Sequence, residues 1–309
     1  MGTLRYDAIQ RYRTVAEIGR RLGISSEHSA LDVGGGTGAL KDLLGLPDLT
    51  TLDPVGEGPQ HIRGSMSHLP FPDRSFDLVL QTDALEHVPE EIREDSLREM
   101  TRVARRWVIW MGPVEQPETV RCEQDLCESH RELYAGREMT WLSEHRVHGL
   151  PDRDRVTRVL ASGLEDWIAW PSCSLQRWWM FQRFDLELGA GPDRPELAKA
   201  LNDWYETAGW REEYRVSPGA HAYRWVVVGA KTGTLPAGLE EAPGESGLDS
   251  WKGILPLFRV LLPEKILDDQ GRPRSPQAEA HLERIGALLA APPPAPEKPW
   301  WKRFLEGDG

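Results

Sequence analysis

The chain has 309 residues, enough to bury one substantial core and still carry an appendage or insertion. Its 37 basic and 49 acidic residues leave a formal charge of -12. That balance argues against a chain-wide nucleic-acid footprint, although a local basic groove would escape such a count. No segment has the length and apolarity of a signal peptide or of a membrane span, and Cys122, Cys127 and Cys173 are too few and too odd for a disulfide framework. A reducing, cytoplasmic setting is the default expectation.

Tyr6 to Leu22 reads as a helix with a basic face, stopped by Gly23. Ala30–Val33 is a short strand that runs into a glycine cluster and then a helix around Leu40, Leu43 and Leu44. Leu49–Asp53 and the weaker His61–Arg63 follow as strands. The best strand of the first half is Phe76–Leu80, continued to Gln81, and it precedes a charged helix from Glu90 to Ala104 and a strand over Trp107–Met111. Strands alternating with helices at this spacing predict a doubly wound α/β fold with a mostly parallel sheet.

Residues 114–195 break into amphipathic pieces rich in tryptophan and arginine, read as a helical insertion. A helix from Pro195 to Ala208 and two strands, Glu213–Val216 and Tyr223–Gly229, joined through Pro218-Gly219, predict a closing antiparallel hairpin. The main domain is therefore drawn over residues 1–233. Residues 234–309 form a Pro/Gly/Glu linker and an extension. In that extension Trp251, Leu255, Phe258 and Leu262 could share a helix face for membrane contact, against which Pro256 argues; docking on protein is the plainer expectation.

The strongest motif is Leu31-Asp32-Val33-Gly34-Gly35-Gly36-Thr37-Gly38. A strand that turns sharply into a helix needs glycine where φ is positive and where a ligand nears the backbone. The helix N-terminus then offers unpaired N–H groups to a polar ligand. The same cluster, with Ala39 and with Asp53 some 20 residues on, also satisfies a dinucleotide fingerprint, so NAD(P) stays open at this point.

Residues 31–112 resemble the class I methyltransferases, in particular the large group containing the ubiquinone- and sterol-type enzymes. The resemblance rests on Asp32–Gly38, on Leu52-Asp53, on Leu69-Pro70-Phe71-Pro72-Asp73-Arg74-Ser75-Phe76-Asp77-Leu78-Val79 and on Asp83-Ala84-Leu85-Glu86-His87-Val88. It implies a seven-stranded Rossmann-like sheet and S-adenosylmethionine as cofactor. Gly34, Gly36 and Gly38 would hold the methionine part, Asp53 both ribose hydroxyls, and Asp32 the amino group. Where the family usually places an acid near the adenine, this chain has Ser65 followed by Met66, so adenine would be met by Met66 packing and backbone groups. Gln81, at the end of the fourth strand, is counted with the cofactor ligands.

Methyl transfer from a sulfonium is a displacement on an activated carbon, so the protein has to align the partners and, for a protonated nucleophile, supply a base. His87 has the intrinsic pKa for that base, or else packs or orients substrate. Asp83 is either a helix N-cap or a second catalytic residue. Cys122-x4-Cys127-x2-His130, with His145 and His148 beyond, fits no standard zinc spacing, so the cysteines are read as ordinary thiols and no metal is expected. Of the insertion's aromatics, Trp178, Trp179 and Phe181 are expected mainly to fill a helical core, with one or two reaching an acceptor pocket. The expected activity is methyl transfer to a small organic or glycan-related acceptor, oxygen favoured. A nicotinamide-dependent oxidoreductase and a non-catalytic cofactor-binding protein are the alternatives. The oxidoreductase would leave the Leu69–Asp77 segment unexplained.

Overall fold

A computed structural model describes residues 6–36, 38, 40–190, 199, 202–203, 206, 209–217 and 220–243. Thr37 and Ala39, most of the helix expected over 195–208, the Pro218-Gly219 turn and the whole extension beyond residue 243 lie outside the described residues.

The chain opens with α1 (Tyr6–Arg21), which buries Ile9, Val15 and Ile18 on one face and ends before Gly23 at φ +73°. Strands β1 (Ala30–Val33), β2 (Thr50–Asp53), β3 (His61–Arg63), β4 (Phe76–Thr82) and β5 (Ala104–Pro113) follow, with α2 (Leu40–Leu44) after β1 and α3 (Glu90–Val103) before β5. Helices α4 (Pro117–Leu133), α5 (Thr140–His148) and α6 (Arg153–Ala161) lead to β6 (Asp166–Ser174), then α7 (Leu175–Ala190) and β7 (Ala222–Ala230). The seven strands make one sheet in the order β3-β2-β1-β4-β5-β7-β6. The first five run parallel, and β7 lies antiparallel between β5 and β6.

Alternation along the central strands builds a core on each face. Leu31, Val33, Val79, Val108, Trp110 and Val227 face α3 and α6, meeting Leu97, Met100, Val159 and Leu160. Ala30, Leu78, Leu80, Ile109, Val226 and Val228 face α1 and α2, meeting Val15, Ile18, Leu40 and Leu44. Each such fully buried aliphatic side chain contributes roughly 1.5–3 kcal/mol relative to exposure. Helices α4, α5 and α7 enclose a third cluster of their own, with Leu126, Leu142, Trp178 and Trp179 packed on Tyr223 of β7. Among the described residues no helix is long and apolar enough to cross a membrane.

The closing hairpin differs from the expectation. Besides β5, the antiparallel partner of β7 is β6, which falls within the stretch read as helical, and Glu213–Val216 is not a strand. That segment instead lies along the outer edge of β6: Cys173 N donates to Glu213 O at 2.8 Å and Val216 N to Pro171 O at 2.9 Å. Pro171 is tolerated because β6 is the last strand of the sheet, where a missing N–H breaks no ladder.

Candidate cofactor and acceptor site

The carboxyl ends of β1, β2 and β4 converge on the glycine loop. Gly34 sits at φ +80°, and its N–H donates to Leu52 O at 2.7 Å, tying the loop to the end of β2. A Cβ at Gly34 would stand 2.5 Å from Cβ of Ala84, so the loop presses directly on the turn that follows β4. Gly36 at φ +47° and Gly38 at φ +68° continue it.

Asp32 is 2 % exposed, and its Oδ1 has no hydrogen-bond partner. Burial raises its pKa to about 7, with Arg11 opposing and Asp53 adding to the rise. An unpaired buried carboxylate beside a glycine loop is suited to receive a ligand cation. Asp53 ends β2 half-buried, with Oδ1 accepting from Val55 N at 2.9 Å and no second side-chain hydrogen bond among the described residues. Met66 is buried and approaches the Gly34 Cβ position at 4.0 Å. Ser65 is exposed and bonded to Ser67 Oγ at 2.9 Å. Gln81, expected among the cofactor ligands, is fully buried: its Oε1 accepts from Trp110 Nε1 at 3.0 Å and its Nε2 points to Met66 Sδ at 3.7 Å. Both ends of its amide are therefore engaged inside the protein, against Trp110 and Met66.

Residues on either side of Ala84 in the chain line a cavity of about 400 Å³. Its walls come from α1 (Tyr6, Asp7, Arg11), the turn after β4 (Asp83, Glu86, His87), α5 (Trp141, His145), α7 (Trp178, Gln182, Asp185) and β7 (Tyr223, Arg224). Of the expected core aromatics, Trp178, Trp179 and Phe181 are all buried, and Trp178 also reaches this cavity.

Asp83 does not cap a helix; the cap position belongs to Ala84, with no side-chain bond. Asp83 stands at φ +42° with both carboxylate oxygens engaged. Arg224 Nε donates at 2.9 and 3.0 Å, Arg11 Nη1 at 2.9 Å, and Arg224 Nη2 also reaches it. Burial works to raise its pKa, but the two guanidinium groups outweigh that and hold it well below the usual carboxylate range. Asp83 is thus an anchor for Arg224 and Arg11, which corrects the N-cap reading and leaves neither oxygen free for a catalytic role. Arg224 is 1 % exposed and also pairs with Asp7 at 2.8 Å and with Gln10 Oε1 at 3.1 Å.

His87 faces the cavity. Its Nδ1 lies 2.7 Å from Glu144 Oε2 and its Nε2 3.9 Å from Glu86 Oε1. Burial and the neighbouring His145 lower its pKa, against Glu144, which raises it. His145, 3 % exposed, is bonded through Nδ1 to Glu123 Oε1 at 2.9 Å, and Tyr223 OH donates to the same oxygen at 3.0 Å. The cysteines stand apart from this chemistry. Cys122 and Cys127 are buried in the third cluster, the Cys122 thiol is pushed up to about 12 by burial, and His130 Nδ1 bonds Arg137 O at 2.8 Å.

Arg224, Tyr223, Glu123 and Trp141 were not singled out from the sequence. Arg224 carried a signal: a charge inside the run Tyr223–Val228, where every neighbour is apolar, is costly unless paired for a purpose.

Residues 31–107 match a family model described as a methyltransferase domain. The protein has the class I S-adenosylmethionine-dependent methyltransferase fold. An all-parallel dinucleotide sheet in the order 3-2-1-4-5-6 has no place for the antiparallel β7 between β5 and β6. Among solved structures, the methyltransferase-fold chain is similar to a methyltransferase of Thermotoga maritima at 14 % identity, covering 74 % of this chain and 93 % of that one, TM-score 0.43. It is also similar to phosphoethanolamine N-methyltransferase 2 of Haemonchus contortus at 12 % identity, covering 70 % of this chain and 51 % of that one, TM-score 0.43. A search of curated protein sequences gave no match. Family and fold implicate S-adenosylmethionine as the cofactor, and the residues present fit it. The unpaired Asp32 Oδ1 suits its ammonium, Asp53 its ribose hydroxyls, and Gly34–Gly38 its methionine part.

Proposed function

We propose that the protein transfers a methyl group from S-adenosylmethionine to an oxygen of a small organic acceptor held in the cavity lined by Glu86 and His87. The observation that carries this reading is the contact of Gly34 with Ala84: it sets the glycine loop back to back with the turn that bears Glu86 and His87. Held by Gly34, Gly36, Gly38, Asp32 and Asp53, the cofactor would supply an activated methyl group on a sulfonium whose sulfur keeps the bonding electrons on leaving. The protein's own tasks are then alignment and removal of the acceptor's proton. His87, which lines the cavity, would take it through Nε2, with Glu144 holding the opposite ring nitrogen. Asp83 and Arg11 fix the turn and α1 against each other, so they position rather than react.

The walls support a hydroxylated, glycan-like acceptor. Trp141 and Trp178 offer aromatic faces, while Asp7, Gln182 and Asp185 offer groups that bond hydroxyls. Helices α4, α5 and α7 would serve as the cap over that acceptor.

The test is calorimetric titration with S-adenosylhomocysteine, with NADH and NADPH in parallel, on the full chain and on Asp53→Ala. Saturable binding of the homocysteine compound alone, abolished by Asp53→Ala, is expected. Binding of a nicotinamide cofactor instead would overturn the reading. With a methylated acceptor in hand, His87→Ala should lower kcat by ~10²–10⁴ and leave cofactor affinity unchanged; undiminished kcat would remove His87 as the base.

A further inference from the structure

Three side chains around the cavity floor show an arrangement that acceptor binding does not explain. His87 and His145 pack with ring centroids 4.9 Å apart. Each has its Nδ1 held by a glutamate, Glu144 at 2.7 Å and Glu123 at 2.9 Å, which leaves the Nε2 atoms to point elsewhere. Glu86 is 1 % exposed, and its Oε2 has no hydrogen-bond partner; the buried Nε2 of His145 has none either. One ligand atom from each of Glu86, His87 and His145 lies within 4.8 Å of the other two. Unpaired buried polar atoms are costly, and the two of Glu86 and His145, with a His87 nitrogen close to both, call for a common partner.

A carboxylate and two imidazole nitrogens, each imidazole backed by a carboxylate on its other nitrogen, are the donor set and outer support of a divalent transition-metal site. The backing glutamates fix the rings so that Nε2 presents its lone pair, and Tyr223 OH, donating to Glu123 at 3.0 Å, fixes one backing group in turn. Ligand atoms of a metal with bonds of ~2.0–2.2 Å sit a little over 3 Å apart, so closure needs a movement of about 1–2 Å by side chains.

We propose that Glu86, His87 and His145 form a site for one divalent transition-metal ion in the floor of the acceptor cavity. Three protein ligands leave coordination positions open toward the cavity, where water or acceptor oxygens complete the shell. The site's existence stands on its own geometry; its role rests on the methyltransferase reading. In that role the ion orients a vicinal pair of acceptor oxygens and acidifies the hydroxyl to be methylated. With the ion bound, His87 Nε2 is a ligand in place of the base described above, and the released proton passes to water.

The experiment is titration of chelator-stripped full-length protein with Co²⁺, followed by visible absorption and by metal content after gel filtration, with S-adenosylhomocysteine binding measured on the same samples. One ion per chain is expected, with an absorption spectrum of nitrogen and oxygen ligation. Glu86→Gln and His145→Ala should each weaken Co²⁺ at least tenfold, and Glu123→Gln, which leaves all three ligands in place, by ~10–100-fold. Cys122→Ser with Cys127→Ser should leave binding unchanged. Retained homocysteine-compound affinity in Glu86→Gln and Glu123→Gln shows that these chains are folded. Absence of saturable Co²⁺ binding, or binding untouched by Glu86→Gln and His145→Ala, would overturn the proposal, as would binding lost with the cysteines. Co²⁺ binding without any homocysteine-compound binding would uphold the metal site and sink the methyltransferase reading instead.

Discussion

Gly34 and Ala84 meet where no side chain can intervene: a Cβ on the glycine would lie 2.5 Å from that of the alanine. The contact joins the loop after β1 to the turn after β4, and so couples the two halves of the site through backbone. Gly34→Ala should strain a residue at φ +80° and force the two loops apart, at a stability cost of ~1–3 kcal/mol. S-adenosylhomocysteine affinity should fall more than tenfold in calorimetry. Unaltered affinity would show that the loops move independently.

Asp83 is the counter-charge that Arg224 and Arg11 share inside the protein. Asp83→Asn should cost ~3–5 kcal/mol in denaturant unfolding, because it leaves a guanidinium that is 1 % exposed with only Asp7 to balance it. A loss under ~1 kcal/mol would show that water reaches Arg224 and that the cluster is looser than its geometry.

Asp32 gives a pH dependence with a definite sign. Its folded pKa is raised from 3.8 to about 7, so between those values the native chain holds a proton that the unfolded chain releases. Its contribution to stability is complete below pH 3.8 and is lost as pH rises through about 7. A displacement of that size corresponds to about 4 kcal/mol. Asp32→Asn should therefore remove part of the fall in unfolding free energy between pH 4 and 7 while weakening S-adenosylhomocysteine at pH 8. Parallel stability curves for the two proteins would contradict this account of the carboxylate.

Trp141 lines the cavity and meets His145 edge-on at 5.4 Å, but it takes no part in the glycine loop. Trp141→Ala should raise the acceptor KM about tenfold, the equivalent of ~1.4 kcal/mol of lost contact, and leave cofactor affinity as it was. Equal losses at both ligands would mean that the tryptophan supports the fold and not the acceptor.

Local signals made the amino-terminal half readable. The expected helix Tyr6–Leu22 is observed as Tyr6–Arg21, and the strand Phe76–Gln81 as Phe76–Thr82. In these elements one periodicity dominates and glycine or a charged helix bounds it. The strand Asp166–Ser174 was missed because its burial does not alternate: as the edge strand it leaves Trp167, Ile168 and Ala169 half-buried, and its Trp167/Trp170 spacing suits a helix equally well. Glu213–Val216 misled in the opposite sense, since it lies beside a strand but shares only two backbone–backbone bonds with β6. The glycine loop, Asp53 and His87 were legible because they belong to contiguous motifs. The partners of His87 were not, since Glu144 and His145 reach it from 57 and 58 positions away through α5, a placement that only tertiary packing sets.

Arg224 joins Asp83 across 141 positions of chain and Asp7 across 217. Synthesis therefore delivers the two acids long before the base that holds them together, and β7 must then thread antiparallel between strands already made. A chain that ends before residue 222 carries the glycine loop but lacks both the guanidinium that joins Asp7 to Asp83 and the β7 wall of the cavity.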